Sequence, residues 1–270
     1  MPDAETVTVT ATHEPPAANS HCAPDAMAGM LSAAIEQVLG SQSNVATLQL
    51  SRRGGLAVIH APDDSFVFKL ITCRADWKKR LFRPLGFNPA RRARKVSKAL
   101  EVAGVPVCKV LKFGDVPLPG APRAVWTLSS FIRDGRTLRQ LKQELQPDRS
   151  APAATLIREL YIESLKLLRR IHDLGFEHRD YHAGNLLVVE VESGAPHLTL
   201  VDLETTLRRE ATIRRRARDL RRFLGNFTEA ATAGESLKEA LEIYSNGDTK
   251  LAQKLASTGR LKGLLKQHRM

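Results

Sequence analysis

His178-Arg179-Asp180-Tyr181-His182-Ala183-Gly184-Asn185 is the stretch on which the reading of this chain turns. It places a carboxylate, Asp180, and a carboxamide, Asn185, in one short polar loop. Before it, Leu156, Leu160, Leu167, Leu168 and Ile171 recur at helical spacing and predict a long amphipathic helix over 153–174. After it, Leu186–Val191 and His197–Val201 are strand-like runs joined as a hairpin across Ser193-Gly194. Val201-Asp202-Leu203-Glu204 closes the second run. Asn185 enters the first strand and Asp202 leaves the second, so a hairpin brings both side chains to one end. Two oxygen donors there suit Mg²⁺, a hard cation completed by water and phosphate oxygens. Asp180, one loop away, can accept a hydroxyl proton and aim that oxygen.

Upstream the texture is that of a sheet. Ala46–Ser51, Leu56–His60 and Ser65–Thr72 are short apolar, β-branched runs, with Arg52-Arg53-Gly54-Gly55 and Ala61-Pro62-Asp63-Asp64 read as the turns between them. Asn88-Pro89 predicts a helix start, with a cap and then a proline in the first turn, and the helix runs to about Ala103 before Gly104. Strands are expected at Cys108–Phe113 and Ala124–Ile132 around a Pro/Gly-rich turn. Helices are expected at Ala26–Leu39, Leu138–Leu145, Ile213–Leu224, Glu235–Ser245 and Lys250–Gln267. Residues 1–25 lack periodicity and read as a tail. Lys69, inside an apolar strand, is costly to bury unless an anion meets it.

The loop satisfies H-R-D-x-x-x-x-N, the catalytic-loop pattern of phosphoryl-transferring kinases. The chain therefore resembles the kinase-like fold. More narrowly it resembles the bacterial lipopolysaccharide kinase family, which phosphorylates core heptose or Kdo sugars. The residues that carry the likeness are the Lys69 strand, Asn88-Pro89-Ala90-Arg91-Arg92, Ala103-Gly104-Val105-Pro106, His178–Asn185, Val201-Asp202-Leu203 and the Arg-rich helix through Asp219-Leu220. They span roughly residues 46–225.

The resemblance implies an α+β, bilobal protein-kinase-like fold: a small antiparallel β N-lobe with one main helix over 46–132, and a reduced helical C-lobe over 133–270. Residues 1–45 form the tail with a short helix. It implies ATP and Mg²⁺ as cofactors. Asp180 acts as base, Asn185 and Asp202 hold the metal, and Lys69 holds the phosphates. Gly54 and Gly55 let backbone approach phosphate, while Ser129 and Phe131 mark the adenine edge. His178 and Arg179 are structural supports, and Asp219 either tethers the catalytic loop through its backbone or is an ordinary acid of a helix surface.

The likeness departs from the pattern in two places. The nucleotide loop is Ser51-Arg52-Arg53-Gly54-Gly55 rather than G-x-G-x-x-G, so a plain hairpin turn explains its glycines equally well. Ala93 occupies the slot where the helix normally carries a Glu paired to the lysine. The only acid of that helix, Glu101, lies near its end. A nucleotide-binding pseudokinase or membrane adaptor is the non-enzyme alternative that this substitution motivates.

An atypical Ser/Thr protein kinase is the other alternative. Only 68 residues follow Asp202 and a helix begins near Ile213, so residues 203–212 are all that stand where a protein kinase keeps its activation and peptide-docking segment. Asp202-Leu203-Glu204 replaces Asp-Phe-Gly, and no Ala-Pro-Glu occurs. A sugar needs less platform than a peptide.

The charge agrees with an anionic acceptor. Lys and Arg total 41 against 29 Asp and Glu, a net of +12, which points to an anionic partner. Lys69–Lys112 carries seven Lys and six Arg against Asp76 and Glu101, and Arg208–Arg222 carries eight Arg against Glu210 and Asp219. Trp77-Lys78-Lys79-Arg80-Leu81-Phe82-Arg83 alternates basic and bulky apolar residues, as segments at an anionic membrane surface do. We expect an anionic glycolipid or sugar substrate and peripheral contact with an anionic membrane. Aromatics at 5% and the lack of a recognised module argue against nucleic acid. No apolar run is long enough for a membrane-spanning helix, the N-terminus lacks the signature of a secretory signal, and Cys22, Cys73 and Cys108 form no disulfide framework. That cysteine usage points to a reducing, cytoplasmic compartment, and the resemblance implies a peripheral position on the cytoplasmic face of the inner membrane.

Overall fold

The computed structural model describes residues 44–51, 54–60, 64–71, 88–118, 121–145, 150–189, 196–225, 237–259 and 261, together with Gly29, Ser32 and Ile35. The tail, Arg52-Arg53, the Trp77–Arg83 stretch, the Ser193-Gly194 turn and residues 262–267 lie outside them. Of the helix expected over 26–39, Gly29, Ser32 and Ile35 are helical.

The chain divides into two compact units, residues 1–94 with 109–131, and residues 95–108 with 132–270. The division is not a single cut. Val107 bridges Leu200, and the Cys108 N–H donates to the Leu200 carbonyl at 2.9 Å, so this short segment belongs with the second unit.

The first unit is built on a five-stranded antiparallel sheet, β1 (Asn44–Ser51), β2 (Gly54–His60), β3 (Ser65–Ile71), β4 (Val110–Leu118) and β5 (Ala121–Ser130), in the order β1-β2-β3-β5-β4. Period-2 alternation sets its faces. Ala57, Phe68 and Leu128 are in register on one face and are at most 2% exposed. Trp126 stacks on Phe68 with ring centroids 5.4 Å apart. Lys69 points to the opposite face, in register with Leu56 and Thr127.

Two expectations change here. Gly54 and Gly55 are not turn residues but the start of β2, where Ser51 faces Gly54. A Cβ on Gly54 would meet the Leu70 carbonyl oxygen at 1.9 Å, so the close approach of β3 demands glycine. The β4–β5 hairpin also reaches further than expected, to Leu118 and Ala121. Pro117 is accommodated at the irregularity between Val116 and Leu118.

Helix α1 (Pro89–Val102) begins as its sequence dictates: the Asn88 side chain accepts the Arg91 N–H at 3.0 Å. Ala90, Ala93, Val96, Ser97 and Leu100 form its buried stripe. Gly104 ends it at φ 68°, and the Val105 N–H returns to the Leu100 carbonyl at 2.9 Å.

The second unit carries β6 (Arg136–Thr137), α2 (Leu138–Leu145), α3 (Ala151–Asp173), β7 (Phe176–Glu177), β8 (Leu186–Val189), β9 (His197–Leu200), β10 (Leu207–Arg208), α4 (Ile213–Leu224), α5 (Leu237–Ser245) and α6 (Thr249–Ala256). Thr137 and Gln140 form a reciprocal capping box at the start of α2. Helix α3 is capped by Ser150 and buries Leu160, Tyr161, Leu165, Leu168 and Ile171. β8 pairs with β9 and β6, and β7 with β10. The single helix expected over 250–267 breaks after Ala256. Ser257 and Thr258 turn their hydroxyls back to the Lys254 and Leu255 carbonyls, which competes with helix propagation.

Candidate active site

Asp180 sits in a loop between β7 and the 3₁₀ turn Ala183–Asn185, which leads into β8. The hairpin closes as its sequence requires: Leu186 faces Leu200, and the Val201 N–H donates to the Asn185 carbonyl at 3.0 Å. That bond sets Asn185 beside the exit of β9, next to Asp202. The Asn185 side-chain amide donates to the Asp180 carbonyl at 2.9 Å, which turns its Oδ1 away as the remaining acceptor. Asp202 adopts the left-handed conformation, φ 59° and ψ 64°, at the head of the 3₁₀ turn Leu203–Thr205. Arg179 is left-handed as well, at φ 68°. Two non-glycine residues in that sparsely populated region, both in one loop cluster, mark a site whose surroundings over-determine its shape.

The clamp on this cluster is Asp219 of α4, fully buried rather than on the helix surface. Its Oδ2 accepts the His178 and Arg179 backbone N–H groups at 3.0 and 3.2 Å. Arg218 faces its Oδ1 at 3.2 Å. Burial opposes ionisation of Asp219, but the His172 hydrogen bond, the Arg179 N–H and the Arg218 guanidinium outweigh it and hold the carboxyl below its usual range. The His178 imidazole, also buried, accepts the Asp180 N–H at 3.3 Å. Burial pushes it below the ordinary histidine value.

Behind Asp219 lies a buried chain from α3 and α5. His172 faces Asp219 at 3.3 Å through Nε2 and the Tyr244 hydroxyl at 2.6 Å through Nδ1. Burial holds His172 below 6.5, and it pushes the Tyr244 phenol up to about 12. A neutral His172 therefore donates from Nε2 to the carboxylate and accepts from the phenol. Glu177, fully buried on β7, is held by Arg209 and Arg218. Neither group was visible as functional in sequence, because each depends on residues more than thirty positions apart.

The His172 environment has a thermodynamic consequence. Its folded-state pKa lies below the unfolded value, so the unfolded chain takes up the proton first on acidification. The contribution is complete above 6.5 and is lost as pH falls through that value toward the lower folded pKa. We expect the thermal midpoint to fall between pH 7.5 and pH 5.5, with a shallower fall in His172→Gln. A midpoint that is flat or rising on acidification contradicts this.

Two further side chains lie against Asp180. Arg222 of α4 places Nη2 2.7 Å from Asp180 Oδ1 and donates from Nη1 to the Arg179 carbonyl at 3.3 Å. His182 accepts the Gly184 N–H on Nδ1 at 3.1 Å and holds Nε2 3.6 Å from Asp180 Oδ1. Burial lowers its pKa, and Arg139 and Arg222 lower it further against the pull of Asp180 and Asp202. His182 lies in the same loop, two residues from Asp180. Arg222 lies one helical turn beyond Asp219, a spacing that was the available signal.

Asp180, Asn185, Asp202, His178, Arg179 and Asp219 are thus brought together in the second unit. Lys69, Gly54, Gly55, Ser129 and Phe131 belong to the first. Lys69 is on the third of five strands, hence not at a sheet edge, and its side chain is half-buried. Ser129 is in register with Val67 on the Lys69 face. The Phe131 N–H donates to the Ser65 carbonyl at 3.1 Å. Ala93 is buried in the α1 stripe at 1% exposure, while Glu101 is exposed on the last turn.

A family model described as the lipopolysaccharide kinase (Kdo/WaaP) family matches residues 41–244. No protein with a curated description matches. Among solved structures, WaaP in complex with acyl carrier protein superposes with a TM-score of 0.61 at 16% identity, covering 82% of this chain and 86% of that one. A MAP kinase from Leishmania major gives 0.39 at 15% identity over 67% of this chain and 50% of that one. Vaccinia related kinase 3 gives 0.39 at 19% identity over 63% and 49%. The WaaP likeness is one of fold, and it makes the mixed architecture kinase-like.

Proposed function

The chain belongs to the lipopolysaccharide kinase (Kdo/WaaP) family, and from this premise we propose that it transfers the γ-phosphoryl group of ATP, with Mg²⁺, to a hydroxyl of a lipopolysaccharide core heptose or Kdo. Membership makes it a kinase, a phosphotransferase. The observation that carries the finer reading is the geometry of one loop cluster. Asp180, Asn185 and Asp202 are gathered by the β8–β9 hairpin and pinned by Asp219.

In this reading Asp180 accepts the acceptor hydroxyl's proton and orients its oxygen for attack. The Asn185 Oδ1 and the Asp202 carboxylate are all-oxygen donors, which fits Mg²⁺. Bound there, the metal neutralises charge on the phosphate oxygens. Lys69 holds the phosphates of ATP, with Gly54 and Gly55 opposite its strand and Ser129 and Phe131 lining the adenine edge. The Phe131 amide is taken by Ser65, so carbonyl groups are what this edge would offer a base.

No helix among the described residues is long and apolar enough to cross a membrane. A peripheral position on the cytoplasmic face is the arrangement that suits the Arg-rich α4 and a membrane-held, anionic glycolipid. Mass spectrometry of core sugars tests the proposal: cells lacking the gene lose one phosphate from a heptose or Kdo, and Asp180→Asn fails to restore it. Label from γ-labelled ATP appearing on protein rather than on glycolipid would favour the protein-kinase alternative. In vitro, Asn185→Ala is expected to raise the Mg²⁺ concentration needed for half-maximal transfer about tenfold or more, because it removes one of two protein ligands.

A further inference from the structure

Asp180 is rimmed by cationic and N–H groups. Arg222 reaches it from α4 at 2.7 Å with its side chain 53% exposed. His182 reaches it from the loop. Its Nδ1 is taken by the Gly184 N–H, so a neutral ring carries its hydrogen on Nε2, 3.6 Å from Asp180 Oδ1. Arg139 approaches from α2: a Cβ built on Gly184 would come within 3.4 Å of its guanidinium carbon. A third side chain at Gly184 would crowd both His182 and Arg139. Arg222 of α4 and His182 of the loop thus bring a guanidinium and an imidazole N–H to Asp180, and the Arg139 guanidinium of α2 lies against Gly184 of the same loop.

A guanidinium on the base is an obstacle to proton acceptance unless something else engages it. Planar, forked donors bind phosphate and carboxylate oxygens bidentately and in partial exposure exchange one anion for another readily. We infer that Arg222, flanked by Arg139, is the acceptor-anion site of this enzyme: it binds a phosphate or carboxylate borne by the acceptor sugar and, when no acceptor is present, rests on Asp180. The inference rests on the kinase reading for the role of Asp180, but not for the binding of the anion. It makes Arg222 a specificity-determining residue. A charged acceptor draws Arg222 off the base, whereas a neutral one meets a base still paired.

The test uses the full chain with saturating Mg²⁺ and a non-hydrolysable ATP analogue, so that the nucleotide's own phosphate subsites are filled. Inorganic phosphate is the probe, titrated by calorimetry. Wild type binds it; Arg222→Gln weakens it about tenfold or more, and Arg222→Lys recovers part of the loss. Asp180→Asn is expected to tighten phosphate binding several-fold, because it removes the carboxylate competing for the same guanidinium. In transfer assays phosphate then inhibits competitively against the glycolipid acceptor and not against ATP.

If Arg222 merely pins the loop, phosphate affinity is unchanged in both Arg222→Gln and Asp180→Asn, and the proposal falls. If Arg222 serves the γ-phosphate of ATP, Arg222→Gln weakens the triphosphate analogue relative to ADP and leaves inorganic phosphate unaffected, which also overturns it. Inhibition that is non-competitive with the glycolipid overturns the assignment to the acceptor. Should Arg222→Gln not fold, the Asp180→Asn arm decides alone. Full transfer activity in Asp180→Asn would remove the base assignment while leaving the phosphate result intact, so the two failures are separable.

Discussion

Asp180→Asn lowers phosphoryl transfer by about 10²- to 10⁴-fold while nucleotide affinity stays near wild type, the range expected when a general base is removed from a positioned hydroxyl. The substitution is nearly isosteric. The Asp180 carbonyl that receives the Asn185 amide is a backbone group and is unaffected, so the loop keeps its shape. The His178 bond to the Asp180 N–H is likewise a backbone contact. What is lost is the carboxylate that accepts the proton and pairs with Arg222. Rapid-mixing measurement of the first turnover separates this from slow product release. An enzyme of wild-type rate would remove Asp180 from the reaction.

The second large effect falls on stability and activity together. Asp219 is completely buried and receives two backbone N–H groups of the His178–Asn185 loop as well as His172 and Arg218. Asp219→Ala leaves all of these donors in a buried space without their acceptor. Breaking a buried charged network by removing one partner costs about 3–5 kcal/mol. For a chain of this size that corresponds to a fall in the thermal midpoint on the order of 10 °C. Asp219→Asn keeps one acceptor oxygen and the volume but not the charge. It is expected to fold with a smaller loss of stability and to lower the turnover rate more than it raises the Michaelis constant for ATP, because it loosens the loop carrying Asp180. A thermal midpoint within 2 °C of wild type for Asp219→Ala would contradict the clamp.

Much of this was legible in the sequence, for a physical reason. The loop, its preceding amphipathic helix and the hairpin after it are local features, each set by spacing and by turn chemistry over a few residues. Asp202 could be paired with Asn185 because an antiparallel hairpin allows only one arrangement of its ends. Asn88-Pro89 and Gly104 bounded α1 within a residue, since cap chemistry acts through the adjacent backbone. The parts that escaped depend on contacts distant in sequence. The glycine at Gly54 is required by the Leu70 carbonyl of the neighbouring strand, which no local pattern announces. Val107 and Cys108 join β9 rather than β4 because the Leu200 backbone, more than ninety positions away, offers them partners. Arg222 reads in sequence as one more charge of an Arg-rich helix. Only the docking of α4 on the loop, through its own buried Asp219, brings it to Asp180.

Ala93 shows how the same buried stripe that the periodicity predicts can displace a functional expectation. Its slot faces the packed side of α1, where the neighbours Ala90, Val96 and Leu100 are all buried. A carboxylate there would need a charge partner to be tolerated. The slot opposite which a helix acid was expected is thus filled by packing, and the family membership of the chain identifies a kinase nonetheless.

In the proposed reaction this loop cluster phosphorylates a core sugar of lipopolysaccharide. Its most direct test is transfer of label from γ-labelled ATP to purified dephosphorylated core glycolipid, with wild type and Asp180→Asn assayed side by side in the presence of Mg²⁺. Label is expected on a heptose or Kdo hydroxyl with wild type, with a loss of at least about a hundredfold in Asp180→Asn. Equal labelling by both proteins, or label found on no sugar of the core, would contradict it.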